Sequence, residues 1–140
     1  MKPARLDDQL CFALYSASNR LTNIYRPILE PLGLTYTQFV TLMALWEADD
    51  VSISQLAQST GLSKPTMTPL LKRLQEKDLI QLQRVAGNDR QKSVVLTRKG
   101  RALASKSLPA TEAAFCATGL TKRQATEMIK LCNQIAADGP

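Results

Sequence analysis

The stretch Ser52–Leu74 reads S-I-S-Q-L-A-Q-S-T-G-L-S-K-P-T-M-T-P-L-L-K-R-L, and two helix starts fall inside it. Ser52-x-x-Gln55 is a capping box, in which a hydroxyl and an amide satisfy helix N–H groups that have no intrahelical partner. Gly61 can take the left-handed conformation that stops this helix, and Ser63, two residues on, can cap the next. In that second helix Met67, Leu70, Leu71 and Leu74 share one face, which leaves Lys64, Thr66, Thr68, Lys72 and Arg73 toward solvent. Pro69 removes a backbone donor and predicts a bend after the first turn. Two short helices about a tight turn, the second presenting short polar side chains and cations, make a helix-turn-helix.

Downstream, L-I-Q-L-Q-R-V (79–85) and S-V-V-L-T (93–97) are enriched in β-branched residues and flank A-G-N-D-R-Q-K (86–92). The pattern predicts a two-stranded hairpin with a basic tip, a wing. Upstream, Thr35-x-x-Gln38 is a second capping box, opening a helix from Tyr36 to about Ala48. Its Phe39, Val40, Leu42, Met43, Leu45 and Trp46 are too many apolar residues for a surface helix, so it is expected at the centre of the core. Before it, Leu6 to about Leu29 reads as a helix with Leu10, Leu14, Ala17, Leu21, Ile24 and Ile28 on one stripe, ended by Pro31 and Gly33. A helix is also predicted from Arg98 to about Thr118. Thr121-x-x-Gln124 opens another to about Ala136, with Ala125, Met128, Ile129, Cys132 and Ile135 marking its buried side. The fold class is mainly α with a small β-hairpin wing: a winged helix-turn-helix over residues 35–98, with helical segments 1–34 and 99–140 from both ends of one 140-residue domain.

The net charge of +6 is concentrated in one segment. From Lys64 to Arg101 ten Lys/Arg stand against Glu76, Asp78 and Asp89, a balance of +7, while the remaining residues sum to −1. Such a block can be a solvated face or a membrane-surface patch. On a helix-turn-helix and wing it is also what neutralising DNA phosphates requires. Winged helices also serve as protein-interaction modules; the charge block argues for DNA. No 18-residue apolar run is present and M-K-P-A-R-L-D-D lacks the apolar core of a signal peptide, so no membrane partner is expected and the chain is placed in the cytoplasm. Three cysteines at 11, 116 and 132 have no metal-ligand spacing and there is no histidine, so no metal or other cofactor is expected.

L-T-x-x-Q-F with a following tryptophan, the run S-Q-L-A-x-x-x-G-L-S-x-x-T-x-T-x-L-L-K-R-L and D-R-Q-K-S-V-V-L-T-R-K-G together resemble MarR-type transcriptional regulators over nearly the full length. The resemblance implies a homodimer built from the N- and C-terminal helices, with two winged domains on a pseudo-palindromic double-stranded DNA operator. It implies that Ser63, Thr66 and Thr68 face bases or nearby phosphates and that Lys64, Lys72 and Arg73 neutralise backbone. On the wing Arg84, Asn88 and Lys92 join the DNA-facing set, and Arg90 is the minor-groove arginine. One position departs from the family: Asn88 stands where the acidic residue of its D-x-R wing tip belongs.

Cys11 lies in D-D-Q-L-C-F-A-L-Y, among Leu10, Phe12 and Leu14. A free cysteine on an apolar stripe is ordinarily a small buried hydrophobe. Here Tyr15 follows one turn on, and Tyr25, fourteen residues along, returns to within roughly 40° of the same stripe at about 100° per residue. Tyr25 is about 21 Å away along the axis, so meeting Cys11 requires a bend, a partner helix or another subunit. Tyrosine hydroxyls beside a thiol can hydrogen-bond its thiolate, the form that attacks a peroxide O–O bond. L-D-x-Q-L-C-F-A-L-Y-x-A-S followed by Y-R-P-x-L-x-P-L-G-L-T-Y resembles the organic hydroperoxide resistance regulator (OhrR) branch of the MarR family. That resemblance assigns Cys11 as the peroxide-reactive thiol, an organic hydroperoxide as its oxidant, and Tyr15, Tyr25 and Tyr36 as hydroxyl partners, Tyr36 from the opposite subunit. It also makes Cys116, ahead of Gly119, the candidate resolving cysteine, whereas Cys132 on its apolar stripe is expected in the core. Two alternatives remain: a MarR-type repressor released by a small aromatic ligand, and a thiol peroxidase. No catalytic motif supports an enzyme.

Overall fold

A computed structural model describes residues 1–85 and 87–137, and at 88–90 the backbone alone. A 3-10 turn at Leu6–Asp8 leads into α1 (Leu10–Leu29), a second 3-10 turn (Glu30–Leu32), α2 (Tyr36–Glu47), β1 (Val51–Ser52), α3 (Ile53–Thr60) and α4 (Lys64–Glu76). Then come β2 (Ile80–Val85), β3 (Asn88–Leu96), α5 (Arg98–Ala102), a 3-10 turn (Leu103–Lys106), α6 (Ser107–Thr118) and α7 (Lys122–Ala136). All three capping boxes form, with both reciprocal hydrogen bonds in each. Gly61, at φ 73°, ends α3. The Ser63 hydroxyl then accepts from the Thr66 amide at 3.3 Å to start α4.

α2 is the centre of the core, with Phe39, Leu42 and Leu45 fully buried. Around it pack Leu29, Leu56, Ile80, Val94 and the inner face of α4, namely Met67, Leu70, Leu71 and Leu74. At about 1.5–3 kcal/mol for each large side chain withdrawn from water, that inner face holds the helix firmly against α2 and α3. This explains why α4 runs unbroken through Pro69 although a donor is lost there. α4 ends at Lys77 and Asp78; Asp78 takes φ 61° and the Leu79 amide returns to the Leu74 carbonyl at 3.0 Å.

Several expectations need correction. The first helix begins at Leu10 rather than Leu6, because Leu6–Asp8 tightens into a 3-10 turn and Gln9 is extended at φ −94°, ψ 123°. The sheet has three strands: β3 pairs antiparallel with β2 and also with β1, through Val51↔Val94 and Ser52↔Ser93. β3 also starts at Asn88, so most of the expected tip is strand, with a register irregularity between Arg84 and Val85. The expected helix from Arg98 to Thr118 is divided by the turn at Leu103–Lys106. Pro109, the third residue of α6, has no N–H to bond the Ser105 carbonyl, so one rung of the α-helical ladder is missing next to the 3-10 turn. Finally, α7 has no buried residue: Met128, Ile129 and Ile135 are exposed, and Cys132 with them. The stripe is apolar, but among the described residues none buries it, and only Ala125 is partly covered. Among the described residues no single helix is long and apolar enough to cross a membrane.

The wing is tied to the core at its base. The Leu96 amide donates to Asp49 Oδ1 at 2.9 Å, the Thr97 hydroxyl to the Asp78 carbonyl at 2.7 Å, and Trp46 Nε1 to the Gly100 carbonyl at 3.0 Å. Gly100 is buried so closely that a Cβ would overlap the Leu79 carbonyl oxygen. Gly100→Ala is therefore expected to lower the free energy of unfolding by about 1–3 kcal/mol, measured by urea denaturation.

Candidate nucleic-acid interface and thiol site

α3, the turn and α4 place one continuous polar face toward solvent. Lys64, Thr66, Thr68, Lys72 and Arg73 are all exposed, as expected from the sequence, while the leucines between them are buried. The hydroxyls of Ser63 and Thr66 lie 2.8 Å apart, and Thr68 Oγ1 donates to the Lys64 carbonyl at 3.2 Å. These contacts fix the side chains at the start of the helix. On the wing, Arg84 and Lys92 are exposed and directly paired in register across β2 and β3. The side chains of Asn88 and Arg90, both in the DNA-facing set, lie outside the described residues. Among the described side chains the one ion pair is Arg5–Asp7, so Lys64, Lys72, Arg73, Arg84 and Lys92 pair with no described carboxylate.

The thiol residues divide into two groups. Cys11, in the first turn of α1, is exposed, with Tyr15 exposed one turn along. Tyr25 and Tyr36 stand at the other end of α1, their ring centroids 4.9 Å apart, and Phe39 lies 5.8 Å from Tyr25. Burial, and then the neighbouring Tyr36 phenol, raise the Tyr25 pKa above the ordinary phenol value. Its hydroxyl therefore remains a proton donor at neutral pH. α1 runs without interruption from Leu10 to Leu29, so no bend brings Cys11 to Tyr25 within one chain. Of the ways for them to meet, a partner helix or a second subunit remains.

Cys116 is exposed near the end of α6, and its carbonyl accepts from the Gly119 amide at 3.3 Å, where Gly119 breaks the helix at φ 74°. Cys132, expected in the core, instead lines an apolar groove of about 400 Å³ with Tyr25, Tyr36, Leu21, Phe115 and Met128. Together with the exposed Leu6, Leu10 and Phe12, this groove leaves large apolar areas of both chain ends uncovered. Apolar surface on that scale is characteristic of an interface.

Lys77 was not identifiable from the sequence. Its ammonium donates to the Gly33 carbonyl and to Gln38 Oε1, the latter at 2.8 Å, and Gln38 Oε1 also accepts from the Thr35 amide at 3.2 Å. The end of α4 is thus fastened to the corner between α1 and α2, on either side of Tyr36 in sequence. The partners lie 39 and 44 positions away, beyond the reach of any local pattern.

This architecture is a winged helix-turn-helix with a basic reading face. The MarR family model matches residues 34–92. The chain is 33% identical over 129 residues to the organic hydroperoxide resistance transcriptional regulator of Bacillus subtilis, covering 91% of this chain and 84% of that protein. It is 38% identical over 125 residues to the HTH-type transcriptional regulator TtmR of Methylorubrum extorquens, covering 88% of this chain but only 64% of that relative's length. The crystal structure of overoxidized AbfR bound to DNA superposes with a TM-score of 0.76 at 28% identity, over 94% of this chain and 93% of that one. The chain belongs to the MarR family of DNA-binding transcriptional regulators.

The raised Tyr25 pKa has a testable consequence. A native-state phenol that holds its proton more tightly than in the unfolded chain adds stability that is fully present below the ordinary phenol pKa and is lost as pH rises through the native value. Spectrophotometric titration is expected to show one phenolate forming above the ordinary value, and Tyr25→Phe to remove that step.

Proposed function

We propose that this protein is a dimeric transcriptional repressor that holds its operator when reduced and releases it when an organic hydroperoxide oxidises Cys11. The observation that carries the reading is the division of the thiol site: an exposed Cys11 with Tyr15 at one end of an unbroken α1, and a partly buried Tyr25–Tyr36 pair at the other. In an antiparallel pairing of two copies through their uncovered apolar faces, the Cys11 end of one α1 meets the tyrosine end of the other, with Tyr36 reaching across. Neutral phenols there donate hydrogen bonds to the thiolate.

In the proposed step the thiolate attacks the distal peroxide oxygen. An S–O bond forms, the O–O bond breaks, sulfur loses two electrons, and the alkoxide leaves and takes up a proton as an alcohol. The sulfenic acid then condenses with a second thiol to a disulfide, releasing water. Cys116 is the proposed second thiol, beside the Gly119 break. The tyrosine corner is linked to α4 through Thr35, Gln38 and Lys77, so a shift at Tyr36 acts directly on the reading helix. Taking operator occupancy from about 99:1 to about 1:99 needs the two redox forms to differ by about 5.5 kcal/mol in binding. Ser63, Thr66 and Thr68 are assigned to bases and nearby phosphates, Lys64, Lys72, Arg73, Arg84 and Lys92 to backbone, and Asn88 and Arg90 to the wing's contact with the minor groove.

A second reading has its own observation. A cavity of about 520 Å³ between the corner of α1 and α2 and the end of α4 is lined by Arg26 and Lys77, which favour a small aromatic carboxylate, and by Thr22, Tyr36 and the opposing carboxylate Glu30. On that reading salicylate releases DNA from Cys11→Ser protein.

The reduced protein is expected to bind a duplex selected from a random pool, and stoichiometric cumene hydroperoxide to release it. Cys11→Ser is expected to bind equally well and to stay bound; its release by peroxide would remove Cys11 from the mechanism. In non-reducing electrophoresis of oxidised protein a dimer-sized band is expected, and Cys116→Ser is expected to lose it while Cys132→Ser keeps it.

A further inference from the structure

One cation of α4 and one of the wing line the same small notch. It has a volume of about 220 Å³ and is lined by Ser52, Ile53 and Ser54 from the start of α3, Lys64 from the first turn of α4, and Gln91 and Lys92 from β3. Across the hairpin Arg84 stands directly opposite Lys92. Like charges facing each other in an antiparallel pair destabilise a sheet. No carboxylate among the described side chains pairs with either of them or with Lys64. Among the described side chains, Asp50 lines a neighbouring depression with Arg84 but forms no ion pair with it, so this positive charge is available to an external anion. The notch lining offers two ammonium groups beside neutral hydroxyl and amide groups, the donor set that a phosphate oxygen accepts from.

We propose that the notch holds one phosphate of the DNA backbone, taken jointly by the Lys64 and Lys92 ammonium groups, with the Ser54 hydroxyl and the Gln91 side-chain amide as neutral donors. The proposal rests on the DNA-reading surface assigned above and adds to it a shared ligand for two elements that local packing does not otherwise join at this point. A phosphate gripped from both sides fixes the angle between the reading helix and the wing. It carries no sequence information itself, but it sets the register in which α4 meets the bases.

The test is a double-mutant cycle on binding to a short mixed-sequence DNA duplex, with salt dependence measured for wild type, Lys64→Gln, Lys92→Gln and the double variant. Each single variant is expected to weaken binding about tenfold, as loss of one backbone cation does. Because both lysines serve one phosphate, the double variant is expected to lose less than the product of the two single losses. Its salt slope should fall by about 0.9 per subunit, the value for one phosphate, rather than twice that. Ser54→Ala and Gln91→Ala are expected to weaken binding less than either lysine variant. In the absence of DNA, Lys92→Gln is expected to raise the urea midpoint, since the repulsion with Arg84 is gone; a merely structural role for Lys92 predicts the opposite. Losses that multiply, with a doubled change in slope, would place the lysines on separate phosphates and overturn the proposal while leaving the DNA-reading surface intact. If neither variant weakens binding, both fall.

Discussion

An unbroken helix is a rod, and α1 keeps Cys11 and Tyr25 about 21 Å apart along its axis. No side-chain rearrangement spans that distance, so on the proposed reading a single chain presents the thiol without its partly buried phenols. The same helix, with α7, leaves apolar side chains uncovered at both ends of the chain. These two incomplete features have one common remedy, a second copy. The apolar faces supply the driving force for pairing, and pairing is what would complete the site. On the proposed reading the sensor is thus a property of the dimer, and oxidation acts where the two subunits meet.

From the tyrosine corner the chain of contacts to α4 is short. Tyr36 opens α2, its neighbour Thr35 forms the capping box with Gln38, and Gln38 shares its side-chain oxygen between the Thr35 amide and the Lys77 ammonium at the end of α4. Gln38 is buried, and α4 packs through four apolar residues against the same core. Such a tightly packed connection transmits displacement rather than absorbing it. The wing base is fastened to the same body through Asp49, Asp78 and Gly100. The winged unit is therefore tied together as one packed body, which on the proposed reading is what changing the spacing of two reading helices requires.

Much of the fold was legible because its signals are local. Each capping box spans four residues, and the face of α4 follows from the spacing of Met67, Leu70, Leu71 and Leu74; all of these stand in the structure as expected. What was misread depends on partners distant in sequence. β1 is only two residues long and exists because Val51 meets Val94. The periodicity of α7 shows that one side is apolar but cannot tell whether this chain or another covers it, so Cys132 was expected in a core that α7 does not join. Pro109 removes the hydrogen bond to the carbonyl four residues before it, a local mark of the interruption in the Arg98–Thr118 segment. The exposed face of α4 was readable, whereas the bridge made by Lys77 was not.

The central claim, that Cys11 is served by the tyrosines of the other subunit, is tested most directly with mixed dimers combining a Cys11→Ser subunit with a Tyr36→Phe subunit. The one remaining Cys11 then lies on the chain lacking Tyr36, opposite a chain that retains it. The account predicts that this thiol reacts with cumene hydroperoxide at the wild-type rate, followed by stopped-flow mixing and intact mass. Reaction at the rate of the Tyr36→Phe homodimer, with that homodimer itself slower than wild type, would contradict it.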